Sequence, residues 1–406
     1  MITNDAEGAD MPESEKIENL LSLSLDATSE ELRSSPNLSA GIVGAEQEEP
    51  VWEVIVKYNG SIAGLAGENI IVEELIAGYG IITLPESYIP LLAEVEQIEY
   101  IEKPKLLYPG DLDANFSSCI VEVTRNDPYL TGQGVLVAVI DSGIDYYNDA
   151  FRNADGTTRI AYLYDQSLGT EFSSEQIDEA LRAGSRQEAY AIVPSRDVTG
   201  HGTAVCSIAA GRTYGAEDRR ADGVATGSRL LIVKLDTRGQ GSFPMTTNLM
   251  RAFTYVVKKA QEMGMPVAIN LSFGNTYGSH NGTSLVERFL DNVSEIGRCV
   301  VCVGSGNEGA AGGHASGNLS SGEEMRIEFA VGEYESNLNL QLWKSYTDLF
   351  SVRLVHPSGS ERVIDTAVEG TTRYVLDEEE VLVYVGFPKP YVVLEEIYIN
   401  HMPQGR

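Results

Sequence analysis

The sequence predicts an α/β protein: a mostly parallel sheet flanked by helices, a small α+β module before it and an all-β domain after it. Three observations predict this. Four apolar runs, VLVAVI (135–140), LLIVKL (230–235), PVAINL (266–271) and CVVCV (299–303), alternate with stretches of helical spacing. Between Trp52 and Tyr108, strand-like and helix-like patterns alternate on a shorter scale. From about Gly322 the helical spacing disappears, and short alternating runs separated by turn residues take over.

A chain of 406 residues is long enough for two or three domains. With 43% hydrophobic and 22% charged residues it reads as globular rather than disordered. Its net charge of -31 argues against nucleic acid and anionic membranes as partners, because both demand a surplus of Lys and Arg. Cys119, Cys206, Cys299 and Cys302 are too few and scattered for a disulfide scaffold. In CVVCV the two cysteines fall on opposite faces of a strand and read as core thiols. No apolar run approaches the roughly 18 residues of a membrane span. The acidic start, MITNDAEGADMPESEK, lacks the basic and apolar regions of a signal peptide, so a cytoplasmic location is expected.

Taken in order, residues 1–50 form an acidic extension. KIENLLSLSL predicts a short helix, Thr28-x-x-Glu31 a capping box, and residues 34–50 a linker. Residues 51–109 read as β-α-β-α-β: WEVIVKY a strand, ENIIVEELIAG a helix, GIITL a strand, PESYIPLLAEVEQ a helix, IEYIEKPKLLY a strand. This module carries no His, Cys or phosphate loop, so a partner surface is expected. Residues 110–321 hold the four apolar strands. Thr246–Met263 sets Leu249, Phe253, Val256, Val257 and Ala260 on one helical face before Gly264. Residues 146–199 are an excursion with a helix in SSEQIDEALRAG. In 322–406, MRIEFAV, LNLQLWK, FSVRLV, RYVL, EVLVYVGF and YVVLEEIYI predict an antiparallel sandwich, incomplete at its C-terminal side.

Three stretches could carry chemistry. The 135–140 strand ends in Asp141-Ser142-Gly143, placing a carboxylate at the sheet edge where α/β proteins bind ligands. His201 lies between Gly200 and Gly202 at the start of the helix HGTAVCSIAAGR, and the glycines allow close approach. Such a His with an upstream carboxylate fits the base and orienter of a nucleophilic triad. Asn307 sits on the turn GSGNEG after the 299–303 strand and could aim its amide at an oxyanion, a contact worth about 3 kcal/mol in the transition state. Taken singly, a helix-capping Asp, a structural His and a turn Asn explain each residue equally well.

DSGID, GHGTAV and GSGNEG, in that order, resemble the subtilisin-like serine proteases (subtilases), which implies catalytic roles for Asp141, His201 and Asn307. Gly223-Val224-Ala225 resembles the family's GVAPxA, with Thr226 where proline is usual. Gly239-Gln240-Gly241 and Ser272-Phe273-Gly274 resemble the two backbone segments that sandwich an extended peptide substrate by strand addition. Within the family the chain is similar to the clostridial spore-germination (Csp) type. That likeness implies a propeptide at 51–109 acting as intramolecular inhibitor, a subtilisin-like domain at 110–321, an inserted jelly roll from 322, and a cytoplasmic or spore-associated protein. It implies no required cofactor and leaves calcium open.

The sequence departs from the family at the nucleophile. No G-T-S-x-[AS]-x-P follows Asn307. Gly282-Thr283-Ser284 precedes it, and Ser284-x-x-Glu287 reads as a capping box. Two expectations follow: these residues are the front of a longer protease, or the chain is a pseudoprotease that binds peptides or signals. Rival motifs are weak. Asp141-Ser142-Gly143 has no second D-[ST]-G to make an aspartic-protease dyad, and Gly304-x-Gly306-x-x-Gly309 is not followed by a helix pattern for a dinucleotide.

Overall fold

The computed structural model describes residues 15–44, 49–106, 108–109, 129–212, 222–237, 243–307, 311–330 and 338–402. The chain opens with α1 (Asn19–Asp26), α2 (Ser29–Ser34) and α3 (Pro36–Ser39). The capping box of α2 is formed: Glu31 N–H donates to Thr28 Oγ1 at 3.3 Å, and Thr28 N–H donates to Glu31 Oε2 at 2.6 Å. α3 lies inside the stretch expected to be a linker, started by Pro36 with its preset φ.

The next module corrects the sequence reading. β1 (Val51–Tyr58), β2 (Ile71–Glu74), β3 (Tyr79–Pro85) and β4 (Ile98–Glu102) form an antiparallel sheet ordered β2-β3-β1-β4, with α4 (Ile89–Ala93) before β4. ENIIVEELIAG therefore contains a strand and no α-helix. Ile70, Ile71 and Val72 are β-branched, which stiffens them for a pleated surface. Gly78, at φ +73°, turns the chain so that Ile71 to Glu74 pair with Thr83 to Gly80. A partner strand next in sequence outweighed the helical spacing.

β5 (Tyr108–Pro109) precedes the central region: β6 (Leu136–Asp141), β7 (Ile160–Asp165), β8 (Thr170–Ser173), α5 (Ser174–Leu181), α6 (Arg186–Ile192), α7 (His201–Ala210), β9 (Arg229–Lys234), α8 (Thr246–Glu262), β10 (Val267–Leu271), β11 (Phe273–Gly274), α9 (Leu285–Ser294) and β12 (Cys299–Val303). The six-stranded sheet runs β12-β10-β6-β9-β7-β8, parallel except for the β7–β8 hairpin. β7 comes from the excursion, where no strand was read. β6 is buried along its whole length, and its alternate residues enter different cores. Leu136, Ala138 and Ile140 pack with Phe253 and Val256 of α8 and Phe289 of α9, whereas Val137 and Val139 pack with Val205 and Cys206 of α7. The five predicted apolar positions of α8 are all buried, and Gly264 follows at φ +65°. Ser284 caps α9 by the predicted box with Glu287.

Cys302 corrects another expectation. It is exposed and Cys299 is half-buried, because β12 is an edge strand with one face uncovered among the described residues.

Six strands complete the described chain: β13 (Leu338–Ser345), β14 (Val352–Val355), β15 (Glu361–Ile364), β16 (Gly370–Leu376), β17 (Glu379–Gly386) and β18 (Leu394–Met402). They form an antiparallel sheet β13-β18-β17-β16 and a β14–β15 hairpin. β15 was not foreseen. MRIEFAV was read as a strand, but residues 325–330 lie in none and are exposed. Alternation makes a face, and a strand also needs an edge to pair with. On this sheet, Leu382, Tyr384 and Tyr398 bury Leu20 and Leu23 of α1.

Candidate active site

The parallel strands deliver their carboxyl ends to one edge, and β6 ends there in Asp141. α7 begins against it. Gly200 precedes the helix at φ +78°, a left-handed conformation that glycine adopts without strain. A Cβ on Gly202 would collide with the Gly143 carbonyl oxygen and press on Asp141 Oδ1 at 3.1 Å. The two glycines around His201 thus let a helix start in contact with a strand end.

This approach brings His201 Nδ1 within 2.7 Å of Asp141 Oδ1. A carboxylate only accepts, so Nδ1 carries the hydrogen, which fixes the tautomer with Nε2 as the basic nitrogen. Asp141 Oδ1 also accepts the Ser142 N–H at 2.7 Å, while Oδ2 is buried without a hydrogen-bond partner among the described residues. Burial raises the Asp141 pKa, and the bonds from His201 and Ser142 partly offset that rise. The pair sits between solvent and core, with the His201 side chain 17% exposed and that of Asp141 1%. It can orient an imidazole and stabilise its protonated form.

The resemblance-derived residues divide into three groups. Phe273 lies edge-on to the His201 ring, 5.8 Å between centroids. Ser272 accepts from Asn270 Nδ2 at 2.9 Å, and Gly274 is exposed at the end of β11. Asn307 is exposed on the turn after β12, and Gly304 N–H donates to Leu271 O at 2.9 Å, so that turn leaves the sheet beside Ser272. No hydrogen bond joins Asn307 to the Asp141–His201 pair among the described residues. Gly239, Gln240 and Gly241 lie outside the described residues.

One feature follows the family resemblance, and a second escaped the sequence reading. β11 pairs antiparallel with β5, Phe273 opposite Pro109 and Gly274 opposite Tyr108. Upstream, Leu106 bridges Met245, and Thr246 N–H donates to Lys105 O at 2.6 Å. Lys105, Leu106 and Tyr108–Pro109 of the chain itself are therefore laid in by strand addition, the last two against the strand whose Phe273 faces the His201 ring. Asp197 is the second: its carboxylate accepts from Ser142, Gly200 and Thr203.

Residues 132–380 match the subtilase family, more than half of the chain. The chain belongs to the subtilase family. In this subtilase, residues 15–105 also match the Csp protease B prodomain family. Its structure is similar to that of the Clostridium perfringens CspB protease, with TM-score 0.65 and 32% identity over 73% of this chain and 62% of that one. It is 24% identical over 236 residues to a PII-type proteinase of Lacticaseibacillus paracasei, a match spanning 56% of this chain and 12% of that protein. To subtilisin-like protease 5 of Arthroderma otae it is 22% identical over 241 residues, 57% of this chain and 49% of that protein. The prodomain match and the subtilase match thus stand on one chain. Among the described residues, no helix is long and apolar enough to cross a membrane, and no cluster of three or more His, Cys, Asp or Glu could hold a metal ion.

Proposed function

We propose that the whole protein is a subtilisin-like serine endopeptidase, whose 406 residues here supply the acid–base half of the active site. The observation that carries this is the 2.7 Å contact between His201 Nδ1 and Asp141 Oδ1, beside a self-peptide strand-paired to Phe273 and Gly274. Asp141 orients His201. His201 Nε2 takes the proton of a serine hydroxyl as that oxygen attacks the scissile carbonyl, then gives it to the leaving amine. Asn307 donates to the tetrahedral oxyanion. The serine is supplied from outside these residues, since none after Asn307 has the G-T-S-x-[AS]-x-P context. The divisions 1–50, 51–109, 110–321 and 322–406 then act as extension, propeptide, catalytic portion and inserted jelly roll. The propeptide inhibits by occupying the groove formed by Gly239–Gly241 and Ser272–Gly274 until it is cut near residues 106–120. A role in spore germination, in the cytoplasm or spore, accords with the Csp likeness. In the full-length protein, His201→Ala is expected to slow self-cleavage about 10⁵-fold or more, leaving the junction uncut on a gel. Normal maturation of that variant would overturn the assignment.

The absence of that serine motif from the 406 residues also favours a second reading, a pseudoprotease that binds peptides or signals. A reactive-serine probe on the natural product decides. Labelling beyond residue 406 supports the protease, and no labelling of a processed, folded protein supports the pseudoprotease.

A further inference from the structure

Asp197 stands outside the Asp141–His201 pair, yet its carboxylate is tied to both sides of it. Oδ1 accepts from the Ser142 hydroxyl at 2.8 Å, the Gly200 N–H at 2.9 Å and the Thr199 hydroxyl at 3.3 Å. Oδ2 accepts from the Thr203 N–H at 2.8 Å and the Thr203 hydroxyl at 2.6 Å. Ser142 is the neighbour of Asp141, while Gly200 and Thr203 bracket His201. Two further bonds extend the tie: Gly202 N–H donates to Ser142 Oγ at 2.9 Å, and Asp145 N–H donates to Thr203 Oγ1 at 2.8 Å. The loop after β6 and the first turn of α7 are joined through one carboxylate.

We propose that Asp197 is a positioning residue that locks the first turn of α7 to the loop after β6, so that the His201 ring stays seated on Asp141. The proposal rests on the reading of His201 as general base. Gly200 has no side chain with which to cap the helix, so the open N–H groups of the first turn need an acceptor from elsewhere. Asp197 provides it. Burial works against its charge, but the bonds from Thr203, Ser142 and Gly200 outweigh burial and hold the pKa below the usual carboxylate range. Asp197 therefore remains ionised and acceptor-only at neutral pH. An Asn in its place presents one oxygen and one NH₂, so donors now on one side of the carboxylate would face another donor. The first turn would then move, and His201 with it.

The test reads the ring itself in the 406-residue chain. The downfield proton resonance of His201 Nδ1–H, assigned by its disappearance in His201→Gln, reports the bond to Asp141. Asp197→Asn is expected to remove or broaden that resonance while circular dichroism shows an intact fold. A folded Asp197→Asn with the resonance unshifted overturns the proposal. Should Asp197→Asn not fold, Ser142→Ala decides, because it removes the hydroxyl that links Asp197 Oδ1 to the Gly202 N–H and leaves both bonds between Asp197 and Thr203 in place. A smaller shift of the same resonance supports the proposal, and none overturns it. In the full-length, serine-bearing protein, Asp197→Asn is expected to lower kcat about 10²-fold with KM within about two-fold. A loss confined to KM overturns it. An inactive wild-type full-length protein sinks the protease reading alone, since the resonance still judges Asp197.

Discussion

β6 and β12 are strands of one sheet, with β10 alone between them, and their surroundings are opposite. Every residue of β6 is buried. On β12, Val300 is 60% and Val303 55% exposed. Asp141, at the end of the closed strand, holds His201 at hydrogen-bond distance; Asn307, past the end of the open strand, stands in solvent. The difference teaches that the Asp141–His201 pair, the proposed acid–base half of the site, is preorganised by packing within these residues. Asn307, the proposed oxyanion donor, follows a strand of the same sheet but lacks an equivalent shell among the described residues. Burial is what fixes a catalytic side chain to the tolerance that chemistry requires.

The sharpest way to break this comparison is to place the same charge at both ends. Val139→Asp buries an unpaired carboxylate and is expected to cost about 4 kcal/mol or more. Val300→Asp is expected to change stability by about 0.5 kcal/mol or less. Denaturant titration of both variants checks this, and a large loss for Val300→Asp would show that the β12 face is covered in solution.

A smaller effect is expected from Gly202→Ala. The added methyl must displace the Gly143 carbonyl, an overpacking cost of about 1–3 kcal/mol. Thermal unfolding measures that cost. Loss of the His201 Nδ1–H resonance would show that the helix moved rather than the strand.

The mildest probe leaves the fold untouched. Burial pushes the Cys206 thiol up to about 12, so at pH 8 its thiolate fraction is about 10⁻⁴. Cys302 is exposed. A maleimide is expected to label Cys302 and spare Cys206, as read by peptide mapping. Labelling of Cys206 at a similar rate would mean that the closed end opens readily.

Legibility from sequence follows the same divide. β6, β9, β10 and β12 were readable because strands in a parallel sheet need unbroken apolar runs, and α8 because its buried face keeps helical spacing. The Asp141–His201 pair was legible as two local patterns, but their 2.7 Å approach depends on a parallel crossover. β2 was misread because IIVEELIAG satisfies both periods, and only β3 decides between them. β7 was missed because Arg159-Ile160-Ala161-Tyr162-Leu163-Tyr164-Asp165 mixes polar and apolar residues, yet β9 beside it supplies the ladder. The β5–β11 pairing joins segments far apart in the chain, so no local pattern encodes it and only the family resemblance pointed to it.

α1 has a consequence in time. Its Leu20 and Leu23 are closed over by Leu382, Tyr384 and Tyr398, and Asp26 accepts from the Thr371 hydroxyl 345 residues downstream. At roughly 5–20 residues per second, a ribosome needs about 20–70 s to make that intervening chain. For that interval Leu20 and Leu23 can rest only on Leu38 and Leu32 nearby in the chain, while Leu21 can already join the core around Trp52. α1 is thus synthesised well before the strands that finish seating it.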